Sequence, residues 1–202
     1  VTSAFYDYGD ANANQQPFSV MTYNDTTGSF TPQTNALSGF LSTFGAIDIA
    51  ALQFMYGKNE NYKPTNNIYQ LGSSQNGTNW VTINNANNTN EISASELTQN
   101  VIIDLRSATI DNKAEYAGIF LSSTNGIYGG YSIALGTTVL KATGGYGNDQ
   151  ITGNSGNNTI DLSEGGTDTV DGGAGIDTIN ISADSTQFTI TENTDNVTVT
   201  DG

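Results

Sequence analysis

The chain contains neither histidine nor cysteine, and only five of its 202 residues are lysine or arginine. Without thiols there can be no disulfide, no thiolate zinc site and no cysteine nucleophile, and without imidazole the commonest nitrogen ligand for a transition metal is missing too. A disulfide-free protein working outside the cell needs another kind of staple, and metal ions are the natural candidate. The five bases face twenty acids, giving a net charge of −15. Such a surface repels nucleic acid and anionic membranes and favours cations as partners. Nowhere does an apolar run approach the roughly 18 residues of a membrane span, and no charged-then-apolar leader opens the sequence. The first residue is Val1 rather than methionine, so the chain reads as a fragment or processed form.

The charges are unevenly placed. Lys58, Lys63, Arg106, Lys113 and Lys141 hold all the positive charge, whereas residues 142–202 carry ten acids and no base. A stretch of that kind either stays open through self-repulsion or folds around cations. Glycine placement decides between the two. The segments "GGYGNDQIT", "GNSGNNTID", "SEGGTDTVD" and "GGAGIDTIN" put Asp149, Asn158, Asp168 and Asp177 in the sixth place and Ile151, Ile160, Val170 and Ile179 in the eighth, at spacings of 9, 10 and 9. This is the nonapeptide pattern G-G-x-G-x-D-x-U-x. Its glycines permit positive φ and inward carbonyls, its acid adds charged oxygen, and its last three residues make a short strand with one apolar side chain for a thin core. Hard oxygen ligands in a flexible loop suit Ca²⁺ rather than Zn²⁺ or copper. Two blander readings compete. Plain Gly/Asn/Asp turns would not keep four repeats in phase, and a phosphate-gripping loop would need a Lys-Ser/Thr and a helix after the glycines.

Upstream, "FGAIDIAALQFMYG" sets Ile47, Ala50, Ala51, Phe54 and Met55 at helical spacing and ends in Gly57, which predicts one amphipathic helix with that face inward. From about residue 66 the segments "NIYQL", "WVTIN", "NVIIDLRS", "GIFLSS" and "YSIAL" are short, rich in β-branched or aromatic residues and broken by Asn or Gly, so strands dominate to the end. "FTITENTDNVTVTDG" reads as a final hairpin with Phe188, Ile190, Val197 and Val199 facing a core.

The order "SVMTY", "DIAALQFMYG", "VIIDLRS", "YSIALGTTVLKATGGYGNDQITGN" resembles the serralysin family of secreted bacterial zinc metalloproteases, a metzincin group, from the Met-turn through the C-terminal calcium-binding β-roll. The resemblance covers nearly the whole chain. It implies a mainly β fold, a right-handed parallel β-roll of RTX repeats with β-sandwich-like flanking strands, and a short helical remnant of the catalytic domain. It divides the chain into residues 1–57, the end of the protease domain, and residues 58–202, the calcium-binding domain. It makes Met21 the methionine of the Met-turn and Tyr23 the tyrosine that helps the zinc and the transition state in an intact enzyme. The three zinc histidines and the glutamate base of H-E-x-x-H-x-x-G-x-x-H would precede residue 1. In the family, repeats two apart stack, so Gly145, Gly147 and Asp149 would face Ser163, Gly165 and Asp168 across one calcium gap. Asn154, Gly156 and Asn158 would face Gly172, Ala174 and Asp177 across a second and weaker one, because Asn158 brings a neutral oxygen.

The sequence departs from the family in two places. The family's calcium site between an R-x-G-x-T loop and a D-x-G-G-x-D loop meets "KPTNN" and "NNANNTNE" here, with amides in place of the strong ligands. Its T-x-E pair meets Thr138 and Leu140. Fewer calcium ions than usual are therefore expected. The implied protein is an extracellular, type I-exported endopeptidase with Ca²⁺ in its roll, Zn²⁺ only in the intact parent, and protein or peptide substrates; this chain alone should be inactive, and the parent should continue past Gly202. The alternatives are a non-catalytic calcium-binding surface or adhesion module, and the accessory domain of another secreted enzyme.

Overall fold

The computed structural model describes residues 18–20, 41–65, 67–72, 79–87, 89–182, 188–192 and 197–201. Met21 and Tyr23 lie outside the described residues.

The predicted helix is present as α1, Ala46–Tyr56, between Gly45 and Gly57, whose φ of 81° stops it. Asp48 fixes its start: its carboxylate accepts the backbone N–H groups of Gly45 and Val20, each at 2.8 Å, and the Ser19 hydroxyl at 2.6 Å. A carboxylate in the first turn also suits the positive end of the helix dipole. The buried face differs from the expected one. Ala46 and Ile49 are buried, while Phe54 is 93% and Met55 60% exposed. The sequence AIDIAALQFMY is apolar almost all round, so periodicity cannot choose a face; the Asp48 anchor and the bond from Ile47 N–H to the Phe18 carbonyl choose it. Phe18, Ala46, Trp80, Ala108, Ile119 and Leu121 then form a small core that joins the helix to the strands.

The strands are β1 Ile68–Gln70, β2 Trp80–Ile83, β3 Glu91–Ser93, β4 Val101–Asp104, β5 Leu121–Thr124, β6 Gly130–Ile133, β7 Lys141–Thr143, β8 Gln150–Asn154, β9 Thr159–Asp161, β10 Thr169–Gly173, β11 Thr178–Asn180, β12 Phe188–Glu192 and β13 Val197–Asp201. The segment "GIFLSS" becomes a strand only from Leu121, because a 3-10 turn at Glu115–Gly118 holds Tyr116 and Ala117 in the left-handed region. One sheet runs β1-β3-β7-β9-β11 and is parallel throughout. The other runs β10-β8-β4-β5-β6-β2, with β5 antiparallel to both its neighbours. From β7 to β11 the chain alternates between the two sheets at every strand, which is the path of a parallel β-roll. β12 and β13 pair antiparallel with Ile190 opposite Val199; the directions of their side chains lie outside the description.

Between the sheets lies a thin apolar layer. Ile92, Ile103, Ile151 and Ile160 are at most 1% exposed and belong to one cluster. Burial then fades toward the C-terminal turn, where Ile179 is 45% exposed. We expect Ile151→Ala and Ile160→Ala each to cost about 2–5 kcal/mol in urea unfolding at saturating Ca²⁺. Ile179→Ala should cost only about 1 kcal/mol, since almost half of its surface stays in water; equal losses at all three positions would contradict this grading.

Candidate metal centre

Each nonapeptide ends its loop on a side chain whose oxygen accepts a backbone N–H. Asp149 is 3% exposed, and its carboxylate accepts Val101 N–H at 2.9 Å and Gly145 N–H at 2.7 Å. Asp168 Oδ1 accepts Asp149 N–H at 2.9 Å, and Asp177 Oδ1 accepts Asn158 N–H at 2.8 Å. Asn158, 1% exposed, repeats the Asp149 pattern with its Oδ1 on Asn154 N–H at 2.9 Å, while its Nδ2 donates to Asn154 Oδ1 at 3.3 Å. The sixth-place side chains thus run up the roll as a ladder, each one closing its own loop or the strand beneath it.

The stacking brings repeat one onto repeat three and repeat two onto repeat four. β8 and β10 pair Gln150 with Thr169, and β9 and β11 pair Thr159 with Thr178, both at an offset of 19 residues. The 9, 10, 9 spacing produces that offset, the added residue being Leu162, which packs partly on the core. Gly147 therefore stands in register with Gly166 and Gly156 with Gly175. The expected Gly165 and Ala174 lie one position earlier, and with Ser163 they form an exposed rim. Gly166 and Gly175 have φ of 103° and 116°, and a Cβ on either would run into the carbonyl oxygen of Gly147 or Gly156. Only glycine leaves room for those oxygens between the turns.

The donor set in the gaps is oxygen alone: loop carbonyls such as those of Gly147 and Gly156, with Asp168 and Asp177 at the edge. Each of these acids has one oxygen on a backbone N–H and a second that accepts from no described donor. Burial pushes the Asp168 carboxyl above the usual range; the bond from Asp149 N–H opposes the rise and the neighbouring negative charge of Asp149 adds to it. A bound cation would reverse that pressure. Among the described residues no three acids cluster closely enough to hold a metal by themselves. Carbonyls with single carboxylates fit a hard cation with irregular coordination, which is Ca²⁺ chemistry. Gly145, Gly147, Asp149, Ser163, Gly165 and Asp168 would serve the first gap, and Asn154, Gly156, Asn158, Gly172, Ala174 and Asp177 the second.

Two features escaped the sequence reading. The segment Ala94–Asn100 forms a roll turn without a glycine: Ala94 N–H bonds the Thr143 carbonyl, and Tyr146 N–H bonds the Leu97 carbonyl. The fifth-place amides form a second ladder, with Asn100 Oδ1 accepting Asn148 N–H, Asn148 Oδ1 accepting Thr167 N–H, and Asn157 Oδ1 accepting Ile176 N–H, at 2.9, 2.9 and 3.0 Å. The recurring Asn before the sixth place was the available signal.

Residues 143–179 match the RTX calcium-binding nonapeptide repeat in four copies. The chain carries a serralysin-type RTX region. Serralysin of Photorhabdus laumondii is 30% identical over 113 residues, which is 56% of this chain and 23% of that protein. Serralysin of Proteus mirabilis is 29% identical over the same length. Metallopeptidase AprA of Pseudomonas marginalis is 29% identical over 158 residues, 76% of this chain and 32% of that protein. The chain therefore spans less than a third of the length of these relatives. Among the described residues no helix is long and apolar enough to cross a membrane.

Asn158 offers a direct test of the second gap. Asn158→Asp should lower the Ca²⁺ midpoint roughly tenfold, because ligand charge sets affinity in such loops, and should weaken the calcium-free fold by removing the bond to Asn154 Oδ1. An unchanged midpoint in a circular dichroism titration would place the ion elsewhere.

Proposed function

We propose that residues 58–202 are the calcium-folded C-terminal domain of a secreted serralysin-type zinc metalloendopeptidase, and residues 1–57 the end of its catalytic domain. The observation that supports this reading best is the stacked pair of glycine loops, whose carbonyl oxygens lie between the turns with Asp168 and Asp177 beside them, in a segment with no base to neutralise those acids. Stripped of calcium, residues 142–202 repel themselves more strongly than their thin apolar layer can offset. With calcium bound, the loop carbonyls and Asp149, Asp168 and Asp177 gain a partner, and binding free energy becomes folding free energy. Extracellular sites of this type bind with Kd on the order of 10⁻⁴–10⁻³ M, so residues 142–202 would stay loose in a calcium-poor cytosol and close outside the cell.

In the intact parent, Met21 and Tyr23 would belong to the zinc site and peptides would be the substrate. Zinc there would activate a water for attack on the peptide carbonyl. That chemistry needs imidazole ligands this chain does not contain, so residues 1–202 alone should neither bind Zn²⁺ tightly nor cleave casein; chelator-sensitive caseinolysis by the purified chain would overturn the assignment of the histidines to an upstream segment. An H-E-x-x-H sequence shortly upstream of Val1 in the gene would support the protease reading, and its absence would favour a non-catalytic module.

The switch itself is measurable. Far-UV circular dichroism of the full chain should gain strand on millimolar Ca²⁺ after EDTA and not on equal Mg²⁺. Asp149→Ala and Asp168→Ala should raise the midpoint more than Asn158→Ala does. An equal response to both ions would show the loops to be ordinary turns.

A further inference from the structure

The amide-rich loop before β3 holds an arrangement the repeats do not explain. Asn90 is completely buried, and its Nδ2 donates toward three main-chain carbonyls at once: Asn87 at 2.6 Å, Thr138 at 3.0 Å and Asn85 at 3.2 Å. A primary amide has two N–H bonds, so one acceptor too many converges on this nitrogen. The other end of the same amide, Asn90 Oδ1, is buried with no described donor. Three carbonyls aimed at one point, with too few hydrogens to satisfy them, make a cation cradle rather than a hydrogen-bond site.

The groups bonded to one another around that point are neutral. Asn87 Nδ2 donates to the Pro64 carbonyl at 3.1 Å and to Asn67 Oδ1 at 3.2 Å, and Asn67 Nδ2 donates to Thr89 Oγ1 at 2.8 Å. Asn85 Oδ1 accepts Asn87 N–H at 2.9 Å. The nearest acid in sequence, Glu91, accepts the Thr143 hydroxyl at 2.7 Å. A divalent ion placed here would have no carboxylate to balance it. The calcium site that the resemblance places between these loops therefore does not fit the residues present.

We propose that the Asn90 side-chain amide stands where a metal ion would otherwise sit, its partly positive nitrogen drawing the three carbonyls together. The loop before β3 is thereby tied to the turn at Thr138 without calcium. The roll then has two tiers: strands β1 to β7 stay closed in any calcium concentration, and β8 to β11 with their loops close only when ions bind. This inference stands apart from the protease reading, since it concerns the cradle alone.

The test uses the full chain and Asn90→Asp, which puts a carboxylate into the cradle. Flow dialysis with radioactive Ca²⁺ should show one more ion per chain in Asn90→Asp than in the wild type, and its Tm should fall in EDTA and recover in Ca²⁺. A folded Asn90→Asp that binds no extra ion would overturn the proposal, as would an Asn90→Ala that binds one ion fewer than the wild type. Should Asn90→Asp fail to fold, hydrogen exchange of the wild type in EDTA decides. The amides of Leu71, Ala94 and Ala134 should keep at least roughly hundredfold protection while those of Leu162, Thr169 and Thr178 lose theirs. Simultaneous loss in both groups would refute the two tiers.

Discussion

At the foot of β4, β8 and β9 a backbone N–H meets no strand partner, because the chain there turns out of the sheet into a loop. An oxygen from the next turn supplies the acceptor: Asp149 for Val101, Asp168 for Asp149, Asp177 for Asn158. Buried N–H groups left without an acceptor cost about 1–3 kcal/mol each, so this one contact decides whether a turn can lie on its neighbour at all. The parallel register, the buried isoleucines and the oxygen-lined gaps all follow from it. The same contact has a drawback, since it stacks carboxylates beside one another and burial raises the pKa of Asp168. A cation in the gap would offset that pressure on Asp168 while leaving its cap on the Asp149 N–H in place.

The repeat region was legible because its code is local. Phase, spacing and residue type fix which loop lies on which, and the extra residue in the 9, 10, 9 spacing gives the 19-residue offset directly. The turn Ala94–Asn100 was not legible, since it takes its shape from Leu97 and Thr143 contacts with a segment almost fifty residues away and carries no glycine of its own. The helix illustrates a different failure. Its position followed from the apolar spacing and Gly57, but its rotation depends on Asp48 reaching Ser19 and Val20, a long-range bond that no periodicity encodes. Asn90 shows the converse: the amides of "NNANNTNE" stood out in the sequence as replacements for expected ligands, but only the structure reveals that one of them gathers three main-chain carbonyls.

The two kinds of loop closure divide the molecule's electrostatics. Around Asn90 the groups bonded to one another are neutral and the ties are amide to carbonyl, which change little with salt or ion supply. Around Asp149 and Asp168 the ties are charged and crowded, and their strength depends on what the surrounding solution provides. One scaffold thereby carries a constant half and a conditional half.

Fading burial toward β11 gives this architecture a direction in time. Each turn touches only the turns directly above and below it, so order can spread only by accretion, as in other linear arrays. β4 and β7 already rest on buried neighbours and offer a finished platform to β8 and β9; β10 and β11, with Ile176 80% exposed, have a neighbour on one side only. Order then runs along each sheet in one direction, through β8 to β10 on one face and through β9 to β11 on the other, like a pair of zips that both start from the finished middle of the roll.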